Sequence, residues 1–211
     1  MSLITTGKSV SNIPTLEPGT YPAVCYGLID IGDQYSETFK KTSPQVIIMW
    51  EMPGETITID GEEKPRVISQ TYTSSLNERA NLRRCLELWR NKPFTPEELA
   101  GFDLKCIVGA PFLLTIINRE FNGRTYASLG GISSIPKGLA KPTGTMPRVV
   151  FDLDSDPLEK MNELPEWVQE RIRKSETYKE RLAGIGHGSE NAELHQFSAE
   201  ELLDDEEDLP F

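Results

Sequence analysis

Tyr35, Phe39, Lys40 and Lys41 set two flat rings beside two ammonium groups within a polar stretch. A second cluster, Arg119, Phe121, Arg124 and Tyr126, surrounds the pair Asn122-Gly123. Rings offer faces on which bases stack, and cations take phosphates. Those two elements suffice to hold a single nucleic-acid strand without reading its sequence, each stacked base being worth about 1–3 kcal/mol. Trp50, Arg66 and Tyr72 have suitable types as well. Each group also has an ordinary structural role open to it. Trp50 fits a core with Val46 and Ile48 on its strand face. Arg66 and Tyr72, in phase with Ile68 and Gln70, fit a half-exposed strand, and the second cluster fits a solvated β-turn with cross-strand pairs.

The last residues pose a different problem. Five acids, Asp204, Asp205, Glu206, Glu207 and Asp208, lead into Leu209, Pro210 and Phe211. A solubilising tail accounts for the acids but not for an apolar tip. A tail this charged is not expected to fold back into a core, so Leu209 and Phe211 point to a pocket on a partner protein, with an apolar floor and a basic rim. The expected partner-binding residues are Asp204, Asp205, Asp208, Leu209, Pro210 and Phe211. This ending resembles that of single-stranded-DNA-binding proteins of bacteria and their phages, which close on a run of Asp, an Ile or Leu, then Pro-Phe. The resemblance implies single-stranded DNA as one partner and replication, recombination or repair proteins, recruited through the tip, as others. The stretch before the tip departs from the family, because it holds helix patterns in place of a long Gly/Gln/Pro-rich linker. The tetramer common among bacterial members therefore does not carry over, and a homodimer stays open.

The net charge of −11 would disfavour a nucleic-acid partner if it were spread evenly. It is not. From Gly184 onward there are nine acids and no Lys or Arg, which leaves a net of −2 for residues 1–183 and +1 for residues 1–148. A near-neutral body binds a phosphate chain if its bases line one groove.

Other chemistry finds no support. No phosphate-cradling or dinucleotide-binding glycine motif is present. The two histidines, His187 and His195, both fall in the tail region, where geometry is not held tightly enough for a catalytic base. Asp152, Asp154 and Asp156 alternate like the start of a calcium loop, but the Gly and the later Glu are out of register, so helix-capping and loop solvation are the expected roles. Cys25, Cys85 and Cys106 are odd in number and far apart, which disfavours disulfide and zinc frameworks. No catalytic residue, metal or cofactor is expected. With a polar start and no apolar run of membrane-spanning length, a cytoplasmic protein is expected, in a bacterial host if phage-encoded.

The elements that must position these residues follow from patterning. Residues 1–19 form a loose arm. Strands are expected over Tyr21–Ile31, Gln45–Met52 and Arg66–Thr73, with a polar loop over Asp33–Pro44, a turn at Pro53-Gly54 and a hairpin at Asp60-Gly61. A helix follows, capped by Ser75 with Glu78, burying Leu82, Cys85, Leu86 and Trp89. A short helix opens at Thr95, and Leu104–Val108 could be a strand. Phe112–Asn118 and Arg124–Leu129 form the last hairpin. Five antiparallel strands with a helix between the third and fourth give a mainly β fold, an OB-fold-like barrel over 20–136. A linker and C-terminal helices fill 137–183, with one helix from Asp156-Pro157 and another from Pro165 to about Leu182. The flexible acidic tail runs over 184–211. A β-barrel adaptor or structural phage protein that binds no nucleic acid is the alternative.

Overall fold

The computed structural model describes residues 14–59, 61–121 and 123–184, the side chains of Phe121 and Arg124 excepted. The N-terminal arm is thus described only from Pro14. His187, His195 and the tip residues Asp204, Asp205, Asp208, Leu209, Pro210 and Phe211 lie outside the described residues.

Three strands come first, β1 (Gly19–Ser36), β2 (Lys41–Ile59) and β3 (Glu62–Thr73), followed by helices α1 (Asn81–Arg90) and α2 (Pro96–Ala100). The hairpin β4 (Pro111–Phe121) and β5 (Arg124–Ser133) comes next, then a short β6 (Val149–Phe151) and helices α3 (Glu166–Lys174) and α4 (Glu176–Leu182). The protein is mainly β. Its first five strands form an antiparallel half barrel in the order β3-β2-β1-β4-β5, with α1 between β3 and β4, consistent with the OB-like barrel expected from the sequence. Near the start of the chain, Arg66 on β3 donates to the Pro14 carbonyl at 2.8 Å, and Thr15 donates to the Thr125 carbonyl on β5 at 3.4 Å. Leu16 is buried in the interior. Residues 14–16 therefore bridge the two outermost strands of the half barrel.

The long strands β1 and β2 are apolar on both faces because both faces are covered. Ala23, Cys25, Leu28, Val46, Ile48 and Trp50 point into the barrel, together with Leu82, Cys85 and Leu86 from α1. Tyr26, Ile29, Ile31, Ile47 and Met49 point the other way, against Phe151, Leu153, Met161, Leu164, Val168 and Ile172. The C-terminal segment thus docks on the barrel's outer face, and β6 adds a parallel strand to β1 that sequence patterning did not indicate.

Several boundaries differ from expectation. Asp33–Ser36 and Lys41–Pro44 are strand, paired beyond a bulge at Gly32, so the loop shrinks to residues 37–40. Gly32 has φ +69, and a Cβ there would meet Leu153 and Thr177. Pro53-Gly54 is a bulge within β2, where the missing Pro N–H is tolerated, and does not turn the chain. α1 starts six residues after Ser75, whose hydroxyl instead accepts from the Asn77 N–H at 3.2 Å. Leu104–Ile107 is a 3-10 turn capped by Asp103, not a strand, and Leu158–Glu163 is likewise a 3-10 turn. The final helix is split at Ser175, whose buried hydroxyl donates to the Ile172 carbonyl at 2.7 Å and accepts from the Tyr178 N–H at 3.1 Å. It ends α3 and caps α4. No helix among the described residues is long and apolar enough to cross a membrane.

Candidate nucleic-acid interface

The β1–β2 hairpin carries the first cluster. Tyr35 is 58% exposed and Phe39 38% exposed, both large values for aromatic side chains. Lys40 takes the left-handed conformation that closes the turn, φ 50, and the Lys41 ammonium lies 6.0 Å from the centre of the Phe39 ring. Alternation divides the cluster. Tyr35 pairs with Thr42, and Ser36 pairs with Lys41, so Tyr35 and Lys41 occupy opposite faces of the ribbon. Phe39 and Lys41 are brought together; Tyr35 is not with them.

Two residues expected to face a ligand do not. Trp50 is 0% exposed, in the barrel interior against Phe112, with ring centres 5.9 Å apart at 74°. Tyr72 is 8% exposed in the same cluster. Both sit on the inward-facing parity of β2 and β3, as their partners Ile68 and Val46 show. Neither ring can take a base without opening the core. Arg66 shares that parity at the barrel mouth, where it holds the Pro14 carbonyl. The outward face of β2–β3 is itself partly occupied: Arg171 of α3 donates to Thr71 Oγ1 at 2.8 Å and Gln45 Oε1 at 3.5 Å. Exposed Val67 continues that outward face along β3.

The β4–β5 hairpin carries the second cluster. Arg119 pairs directly with Tyr126, so both side chains leave the same face, Arg119 exposed and Tyr126 half-buried. The side chains of Phe121 and Arg124, at the tip, lie outside what is described. The β1–β4 register sets this hairpin beyond the start of β1, while the β1–β2 hairpin closes its end. The two clusters thus flank the barrel from opposite ends of β1.

Patterning did not reveal an open groove of about 280 Å³ lined by Tyr21, Pro22, Glu55, Ala140, Lys141 and Pro142. It joins the start of β1, the β2 bulge and the arm at 140–142, segments linked only by the folded chain. Nor did it bring Asp30 to Asp152 and Asp154. One carboxylate oxygen from each lies within 4.8 Å of the others. Asp152 also accepts the N–H groups of Asp154 and Ser155, and Asp156 accepts that of Asp152 and pairs with Lys160; these bonds hold the loop, while the 3-10 turn that follows opens from Pro157 with no side-chain cap.

Burial pushes the Asp30 carboxyl up to about 6, with Asp154 and Asp152 adding to the shift against a hydrogen bond from the Gly32 N–H. The folded state thus favours protonated Asp30 more than the unfolded chain does. The stabilising contribution is complete below the unfolded value and is lost as pH rises from about 4 to about 6. Asp30→Asn should therefore raise the Tm at pH 8 by about 2–8 °C, on about 1–2 kcal/mol, and change it little at pH 3.5. Equal shifts at both pH values, measured by thermal denaturation, would refute this. Burial likewise pushes the Cys25 and Cys85 thiols up, to about 12 and about 11, which makes them unreactive core groups.

No family model matches the chain, and no curated protein matches it.

Proposed function

We propose that this chain binds single-stranded nucleic acid independently of sequence, acting on single-stranded DNA in replication or recombination, and that its C-terminal tip recruits partner proteins. The observation that carries the reading is the β1–β2 hairpin of the half barrel: an exposed Phe39 with the Lys41 ammonium beside its ring, free of the core. Arg119 and Tyr126 repeat the pairing on the β4–β5 hairpin. The acidic tip, resembling that of bacterial and phage single-stranded-DNA-binding proteins, supports the recruiting role, and the near-neutral body removes the objection raised by net charge. A cytoplasmic setting in a bacterial host accords with the same resemblance.

The test is fluorescence anisotropy of a dye-labelled oligo-dT titrated with the full chain at two salt concentrations. Intrinsic tryptophan emission is a poorer readout, because Trp50 is enclosed. Saturable binding that weakens steeply with salt is expected. Phe39→Ala should lower affinity about 5–150-fold, the worth of one stacked base, while leaving the Tm within about 2 °C. Absence of binding by the unmodified chain at low salt would eliminate the reading and leave the adaptor.

A further inference from the structure

The sequence RIRK closes α3 with three cations, Arg171, Arg173 and Lys174. A helix C-terminus favours a nearby cation, so its dipole accounts for one of them more readily than for three. The turn that carries them is fixed to the base of the β1–β2 hairpin. Gln34 Nε2 donates to the Arg171 carbonyl at 3.1 Å and to the Ile31 carbonyl at 2.7 Å. Just past this turn, Thr177 Oγ1 accepts from the Asp33 N–H at 3.0 Å.

Register places the hairpin's own cation on the same side. Gln34 pairs with Ser43, and Ser36 with Lys41. Paired and alternate residues share a face, so Gln34, Ser36, Lys41, Ser43 and Gln45 all lie on the face that α3 covers. Arg171 is spent on that face, bridging Gln45 and Thr71. Arg173 and Lys174 are exposed, and among the described residues neither makes an ion pair. Arg173 is steadied by Gln169, its Nη2 donating to Oε1 at 2.7 Å. The acids nearest in sequence are Glu170 and Glu176. Glu176 belongs to the first turn of α4, where the helix dipole favours it.

We infer that the C-terminal turn of α3 is part of the nucleic-acid interface, with Arg173 and Lys174 taking phosphates of the strand whose base stacks on Phe39 beside Lys41. This rests on the proposed binding of a single strand. It also gives the C-terminal segment a second use: the segment covers the outward face of β1 and β2 and returns cations at the edge of what it covers.

The test is R173Q/K174Q in the full chain, titrated against dye-labelled oligo-dT from 0.05 to 0.3 M salt. Each phosphate contact on a single strand contributes about −0.7 to the slope of log affinity against log salt. Removal of two should flatten the slope by about 1.4 and weaken binding about tenfold at 0.2 M salt. The conservative R173K/K174R should keep the unmodified slope, as should R79Q/R84Q, with Arg79 in the turn before α1 and Arg84 on α1, which packs on the opposite side of the sheet. If the unmodified chain binds but R173Q/K174Q keeps its slope and affinity, the inference falls and the proposed function stands. Equal flattening in R79Q/R84Q would reduce the effect to net charge and also overturn it. If the unmodified chain itself does not bind, function and inference fall together.

Discussion

Trp50→Ala is expected to cost about 3–5 kcal/mol and to lower the Tm by about 6–20 °C. The side chain is enclosed in the barrel between cross-strand neighbours Cys25 and Ile68. Its ring meets the edge of Phe112, which in turn stacks on Trp89 at 5.1 Å and 21°. The Trp89 indole donates to the Pro111 carbonyl at 3.2 Å, which ties α1 to the start of β4. Truncation at Trp50 leaves a cavity at the centre of this aromatic row, where β1, β2 and β3 cannot collapse without breaking their ladders. Trp50→Phe should be milder, about 1–2 kcal/mol. It removes less volume, and it also removes an indole N–H that finds no hydrogen-bond partner among the described residues. The pair separates core from interface. Trp50→Phe should leave oligo-dT affinity unchanged where Phe39→Ala lowers it. A tenfold loss of affinity in Trp50→Phe at unchanged Tm would return Trp50 to the binding surface.

Trp50 also marks what the sequence could and could not disclose. Its inward parity was visible, since Val46 and Ile48 share it, but a tryptophan amid a strand serves a core and a stacking platform equally well from type alone. The succession of strands along the chain, the helix between β3 and β4, the β2–β3 hairpin and the short helix that opens at Thr95 were legible because each is signalled by residues a few positions apart. Asp33–Ser36 was not legible as strand. Its polar residues face solvent and α3, so the hydrophobic alternation that signals a strand is missing. The same cause divides the first cluster: read as a loop, Tyr35 and Lys41 looked like neighbours, whereas as paired strand they face apart. Docking of α3 on β1 and β2, and its reach to Thr71, depend on contacts 100 residues apart. No local pattern encodes those.

The arm over 135–148 shows the same limit. Its prolines and glycines suggest a free linker, yet Glu51 holds it. Glu51 is 1% exposed on β2. Its carboxylate accepts the Thr145 N–H at 3.0 Å, the Thr145 hydroxyl at 2.9 Å and the Met146 N–H at 3.1 Å. The chain approaches so closely that a Cβ at Gly144 would lie 2.5 Å from Glu51 Oε1 and 3.1 Å from Val24 Cγ1. Hydrogen bonds to a charged group are worth about 1.5–3 kcal/mol each and are not additive within one cluster. Glu51→Ala should therefore cost about 3–5 kcal/mol, close to the Trp50→Ala penalty, by a different route. The cavity at Trp50 weakens the barrel everywhere, whereas loss of Glu51 frees a defined segment and leaves the Thr145 and Met146 N–H groups without their acceptor. Limited trypsin digestion should then cut after Lys137 in Glu51→Ala under native conditions, well before global unfolding. That site should stay protected in Trp50→Phe at matched temperature. Glu51→Gln should fall between the two, since its remaining carbonyl still accepts but its amide turns donors toward donors. Cleavage after Lys137 as slow in Glu51→Ala as in the unmodified chain would show that β6 and α3, and not Glu51, hold the arm in place.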